Sequence, residues 1–67
     1  MRYGQIQVGD QFIDSECSIF RVVSVRPACA AGEVQIGIQG TWSPKCTPRY
    51  FSRPAALPVE SCHEVLR

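Results

Sequence analysis

The sequence predicts an all-β fold, a small five-stranded antiparallel barrel with one 3₁₀ turn before the last strand. Three observations support this prediction. Apolar and polar residues alternate with a period of two in the middle of the chain, and glycine and proline separate several short apolar runs. The chain has only 67 residues, enough for one domain, 1–67, with one small core.

The two central strands are predicted from Ser18 to Arg26 and from Glu33 to Gln39. In the second strand three apolar residues alternate with polar ones, which is typical of a strand with one buried face. These inward residues are Val34, Ile36 and Ile38. The first strand carries apolar residues on both faces, with Ile19, Val23 and Val25 on one and Phe20 and Val22 on the other. It therefore needs neighbouring elements that pack on both of its faces.

The first third of the chain predicts a turn and a short strand. Residues 1–8 are short and polar and form at most a brief edge strand. Gly9-Asp10 is a turn signal, because glycine adopts positive φ easily and aspartate can bond its own backbone nearby. Gln11 to Asp14 follows as a strand with Phe12 pointing inward. Residues 29–32, after Pro27, are too few for a helix and predict a loop.

The last third of the chain predicts an irregular connection, two strands and a turn between them. Residues 41–48 contain two prolines and form the connection. Residues 49–52 form a strand rich in aromatic residues, and Pro54 to Leu57 form the 3₁₀-like turn. A final strand is favoured over residues 59–66, although Ser61 and Glu64 match a helix capping box and keep a helix as the alternative. The predicted core consists of Phe12, Ile19, Val23, Val34, Ile36 and Leu57.

The four cysteines are widely spaced and include no C-x-x-C pair, which argues against a zinc site. No secretory signal precedes the first strand, so we expect reduced cysteines and a cytoplasmic protein, with a structural disulfide as the alternative. No apolar run approaches the roughly 20 residues of a membrane span. We expect neither a metal nor a cofactor. The single histidine, His63, is expected to lie at the surface.

The layout of the predicted elements resembles that of SH3-like barrels. Within that class, the chain is similar to the plasmid-borne type II dihydrofolate reductases, which are short barrels that act as tetramers. The resemblance rests on Gly9-Asp10 and on the run Arg53-Pro54-Ala55-Ala56-Leu57. It implies a barrel fold and an origin in a mobile gene cassette or a phage. The family's valine-glutamine-isoleucine-tyrosine run, which contacts substrate and cofactor, is replaced here by residues 49–52 with no match, so reductase activity is not implied.

The candidate binding segment is WSPKCTPRYFSR, from Trp42 to Arg53. The formal net charge of the chain is only +1, yet no acidic residue lies between Glu33 and Glu60. Aromatic rings interleaved with cations can stack on ligand rings, attract anions or anchor a protein interface. The predicted ligand- or partner-binding residues are Trp42, Lys45, Arg49, Tyr50 and Arg53.

These observations favour a non-catalytic interaction module that binds a protein or a small ligand and self-associates as a homo-oligomer. Self-association is expected because the chain is small and Ser18 to Val25 is apolar on both faces. One alternative is a nucleic-acid-binding barrel, although three cations supply little affinity at physiological salt. Another is an oligomeric enzyme with its site on a symmetry axis. Within one copy, a small filled barrel leaves little room for converging catalytic groups.

Overall fold

A computed structural model describes residues 1–60 and 63–66 of the chain. It contains a 3₁₀ helix, Tyr3–Gln5, and five strands. The strands are β1 (Gln11–Ile13), β2 (Ile19–Pro27), β3 (Glu33–Gly40), β4 (Arg49–Pro54) and β5 (Glu64–Leu66). The all-β prediction is confirmed.

All five strands belong to one antiparallel sheet in the order β4-β3-β2-β1-β5. The first four strands form a meander, and the last strand returns to pair with the first. The sheet is strongly curled. Phe12 on β1 and Phe51 on β4 are separated by two strands, which in a flat sheet would place them roughly 14 Å apart. Their ring centroids lie 5.6 Å apart, so the sheet folds over onto itself.

A bulge in β2 decides which of its side chains enter the core. Val22 pairs with Ile38 and Ser24 pairs with Gly37, so Val23 is an extra residue without a partner on β3. Phe20 and Val22 are buried before the bulge, and beyond it Val25 packs against the core. The predicted assignment of Ile19 and Val23 to the core is wrong. Ile19 is 42% exposed, and Val23 is only half-buried.

The core otherwise follows the alternation in β1 and β3. Phe12, Ile36 and Ile38 are buried as predicted, and Val34 packs against them from the rim. Leu57, the predicted core plug, is 41% exposed. The turn that carries it is present, since the Leu57 N–H donates to the Pro54 carbonyl at 3.1 Å, but this turn lies at the surface. The N-terminal segment fills the space instead, with Tyr3 and Ile6 both buried.

The N-terminal residues form the 3₁₀ helix and a turn, not the brief edge strand predicted from residues 1–8. Local hydrogen bonds explain the difference, because side chains accept from backbone N–H groups that a strand would use. Gln5 Oε1 accepts from the Arg2 N–H at 2.8 Å, and Asp10 Oδ2 accepts from the Gln7 N–H at 2.9 Å. The predicted turn at Gly9 is confirmed by its φ of 96°.

The end of the chain resolves the choice between strand and helix in favour of a strand, which covers Glu64–Leu66. Ser61, on which the helical alternative depended, lies outside the described residues. Cys17, Cys29 and Cys46 are free thiols. Among residues 1–60 and 63–66, no helix is long and apolar enough to cross a membrane.

Candidate functional site

Strand β4 distributes the predicted binding residues over both faces of the sheet. Side chains alternate along a strand, so Arg49, Phe51 and Arg53 share one face while Tyr50 and Ser52 share the other. Phe51 contacts Phe12 in the curled interior, which identifies its face as the concave one. Arg49 and Arg53 therefore border the open end of the core.

An aromatic cavity of about 220 Å³ opens at this end of the core. Four rings line it, from Phe12, Phe20, Phe51 and His63. Phe12 is the central ring, with its centroid 5.6 Å from that of Phe51 and 4.9 Å from that of His63. Arg49 and Arg53 line the cavity beside these rings. The cavity thus combines an apolar floor with a cationic rim.

A second cavity, of about 270 Å³, adjoins the first on the side of the irregular connection. Trp42, Lys45 and Arg49 line it together with Phe20. The Trp42 ring meets Phe20 edge-on, with centroids 5.2 Å apart and an interplanar angle of 78°. Because Arg49 and Phe20 line both cavities, we treat the two as one surface and call it the mouth.

The Trp42 ring is held in the mouth by close contact with Gly40. Gly40 ends β3, and a Cβ atom placed there would meet the Trp42 ring at 2.5–2.8 Å. The absent side chain therefore leaves room for the indole to lie across the strand. Gln39 Nε2 donates to the Cys46 carbonyl at 2.6 Å and ties the connection back to β3. Trp42 remains 62% exposed, so much of its ring faces solvent.

The cations of the mouth are not neutralised within the described part of the chain, where Lys45, Arg49 and Arg53 form no ion pair. Arg53 lies over the Phe51 ring at 5.3 Å from its centroid, and its Nη1 donates to the Ser52 carbonyl at 2.8 Å. Asp14 also lines the aromatic cavity. Its Oδ1 accepts from the Glu16 N–H at 3.0 Å and the Ser18 N–H at 2.9 Å, which holds it in the β1–β2 turn.

Tyr50 is the one predicted binding residue that lies away from the mouth. Its ring covers Gly37 on the convex face, and it lines a separate cavity of about 400 Å³ with Ser24, Arg26 and Gln35. The structure therefore brings together four of the five predicted residues. The alternation along β4 was the signal that separated Tyr50 from Arg49 and Arg53.

His63 joins the mouth, contrary to the expectation of a plain surface histidine. It precedes β5, and the pairing of Phe12 with Val65 brings this segment beside β1. Its ring packs on Phe12, and Nδ1 is buried without a hydrogen-bond partner. The pairing of β1 with β5, which are far apart in sequence, produces this contact. No local sequence pattern therefore predicts it.

Chemically, the described residues of the mouth offer aromatic and cationic contacts but form no metal centre. The described residues contain no group of three or more metal-ligating side chains. Comparison with protein-family models, with curated proteins and with solved structures finds no match. The function is therefore argued from the geometry of the mouth.

Proposed function

We propose that the protein is a non-catalytic interaction module whose mouth binds an acidic, aromatic-containing segment of a partner protein. The observation that carries the proposal is Arg49, an exposed cation shared by two aromatic cavities and without an ion pair among the described residues. An acidic residue of the partner would supply the missing negative charge. Neighbouring apolar side chains would occupy the cavities on either side.

The division of the mouth into two small cavities on either side of Arg49 favours a protein segment over a small molecule. Small-molecule sites usually have volumes of about 300–1,000 Å³ and enclose most of the ligand. The two cavities of the mouth measure about 220 and 270 Å³, and each suits one large side chain. Trp42 and Arg49 are of the residue types that most often anchor protein interfaces.

Binding is proposed in place of catalysis because the described residues of the mouth include no paired acid and base. Among the described residues, His63 Nδ1 has no partner, and Asp14 is engaged with backbone N–H groups of its own turn. A cytoplasmic location belongs to the same proposal, supported by the free thiols of Cys17, Cys29 and Cys46. The proposal does not include reductase activity, because residues 49–52 differ from the run that carries it in the similar family.

The test is a fluorescence-anisotropy titration with a labelled peptide of alternating glutamate and phenylalanine. A matching peptide with glutamine in place of glutamate is the charge control. We expect the acidic peptide to bind, and we expect Arg49→Ala to weaken binding by about tenfold. Arg26→Ala removes an exposed arginine on the opposite face and should change the affinity less than about twofold.

Two results would overturn this proposal. One is equal binding of the acidic and the glutamine peptide, and the other is equal loss of affinity in Arg49→Ala and Arg26→Ala. A labelled single-stranded oligonucleotide tests the nucleic-acid alternative in the same format. Tighter binding of the oligonucleotide than of the acidic peptide, with an affinity that falls steeply as salt rises, would replace the proposed partner by a nucleic acid.

A further inference from the structure

The convex face of β1, β2 and β5 carries two rows of outward side chains. The strand register places Arg21, Gln11 and Leu66 side by side in one row. The same register places Ile19, Ile13 and Glu64 in the next row. Neither row contributes a buried side chain to the core.

The apolar side chains of this face are partly exposed to solvent. Ile19 is 42% exposed and Leu66 is 41% exposed, and Ile13 lies half-buried near them. Ile19 and Leu66 occupy opposite corners of the two rows. The line that joins them is an apolar diagonal across three strands, and Ile13 lies beside this line in the row of Ile19.

The charged members occupy the other two corners, Arg21 at one and Glu64 at the other. Two inter-strand spacings and a step of two residues separate them, a distance of roughly 12 Å. They are therefore too far apart to pair within one copy, and neither forms an ion pair with another described residue. The face thus has an apolar diagonal, with a cation on one side of it and an anion on the other.

We propose that this face binds a second copy of the chain around a two-fold axis that runs along the diagonal from Ile19 to Leu66. Such an axis lies in the interface and exchanges the two sides of the diagonal. Each Ile19 and Leu66 then packs near its own symmetry mate. Arg21 of each copy meets Glu64 of the other, so two ion pairs flank the apolar contact. The surface is self-complementary in both charge and hydrophobicity.

The strength of this dimer follows from its size. Three short strands offer much less than the ~800 Å² per partner of a standard interface, and the face is convex, so association should be weak, with Kd on the order of 100 µM. The mouth lies on the concave side of the same sheet and stays open in the dimer. Dimerisation and peptide binding therefore rest on different surfaces and can fail independently.

Sedimentation velocity over a concentration series from about 10 to 500 µM tests the proposal, since this range brackets the expected Kd. Arg21→Glu and Glu64→Arg should each weaken association about tenfold, because the symmetry uses each altered contact twice. The double variant Arg21→Glu/Glu64→Arg restores opposite charges and should return Kd to within about threefold of wild type. Arg26→Glu makes the same charge change at the far end of β2, outside the two rows, and should leave Kd within about twofold.

The altered side chains are exposed, so circular dichroism should show a folded chain in every variant. Weakening in both single variants with recovery in the double variant supports the proposed axis. A monomer at every concentration overturns the proposal. So does a dimer that is insensitive to Arg21→Glu, and so does a double variant that stays as weak as the single ones.

Discussion

At the residue scale, Asp10 is the only buried charged side chain among the described residues, with 5% of its surface exposed. Its Oδ2 accepts from the Gln7 N–H, and its backbone carbonyl accepts from the Val22 N–H at 2.9 Å. The residue thus fastens the turn before β1 to the most buried part of β2. This contact explains why a charged side chain is retained at the edge of so small a core.

Asp10→Ala should lower the free energy of unfolding by about 1–3 kcal/mol, because it leaves the Gln7 N–H without its acceptor. Asp10→Asn keeps a side-chain oxygen in place and should lower it less. Urea unfolding followed by circular dichroism measures both values. Equal stability of the alanine variant and wild type would show that this hydrogen bond does not hold the turn.

The position of the Trp42 ring depends on the missing side chain of Gly40. Adding a single methyl group at Gly40 tests this dependence. Gly40→Ala places a Cβ within 2.5–2.8 Å of the indole ring and must displace it from Phe20. Because Trp42 is the only tryptophan in the chain, its emission reports the change directly, and we expect a shift to longer wavelength. Binding of the acidic peptide should weaken about fivefold with the loss of this anchor.

Gly37→Ala is the matched control for that variant. Its added Cβ would meet Ser24 Oγ and, at 2.8 Å, the Tyr50 ring on the convex face, away from Trp42. Tryptophan emission and peptide affinity should therefore stay close to wild type. Equal emission changes in both variants would contradict the placement of the indole over Gly40.

At the element scale, the bulge in β2 predicts that substitutions of two neighbouring valines have different effects on stability. Val22 is completely buried, whereas Val23 is the extra residue of the bulge and half-buried. Val22→Ala should lower the free energy of unfolding by about 2 kcal/mol and Val23→Ala by under about 1 kcal/mol. Urea unfolding of the two variants measures the difference. A larger loss in Val23→Ala would mean that β2 presents its other face to the core.

The period of a strand explains which elements could be predicted. In β3 the alternation of Val34, Ile36 and Ile38 with polar residues predicts one buried face. This face is the buried one in the structure. In β2 both faces are apolar, so the pattern alone could not select Phe20 and Val22. Pairing with β1 and β3 made that selection, and the bulge at Val23 lets Val25 share the same buried face.

The site was predictable to the extent that it lies in one segment. Charge and aromatic content marked Trp42, Lys45, Arg49 and Arg53, and the structure gathers these four at the mouth. The floor of the cavity comes from Phe12, which the sequence predicted only as a core residue, and from Phe20, which it predicted only as a strand residue. Those contacts form because the sheet curls, and curling is a property of all five strands together.

At the scale of the whole molecule, the curled sheet divides the surface into two sides that carry different side chains. Its concave side ends in the mouth, where four aromatic rings meet cations that form no ion pair with another described residue. Its convex side carries the Ile19–Leu66 diagonal between Arg21 and Glu64. Under the two proposals, a chain of 67 residues would present one surface for a partner and one for its own copy.

The most direct test of the proposed function is an ¹H–¹⁵N NMR titration of the intact chain with the acidic peptide. A chain concentration below about 50 µM, which is about half of the expected dimer Kd, keeps the chain largely monomeric. Chemical-shift changes should concentrate at Trp42, Arg49, Phe51 and Arg53, together with the Trp42 indole N–H. Tyr50 and Gln35, on the convex face, should change little. Shifts that concentrate around Tyr50 and Gln35, or no shifts at saturating peptide, would contradict binding at the mouth.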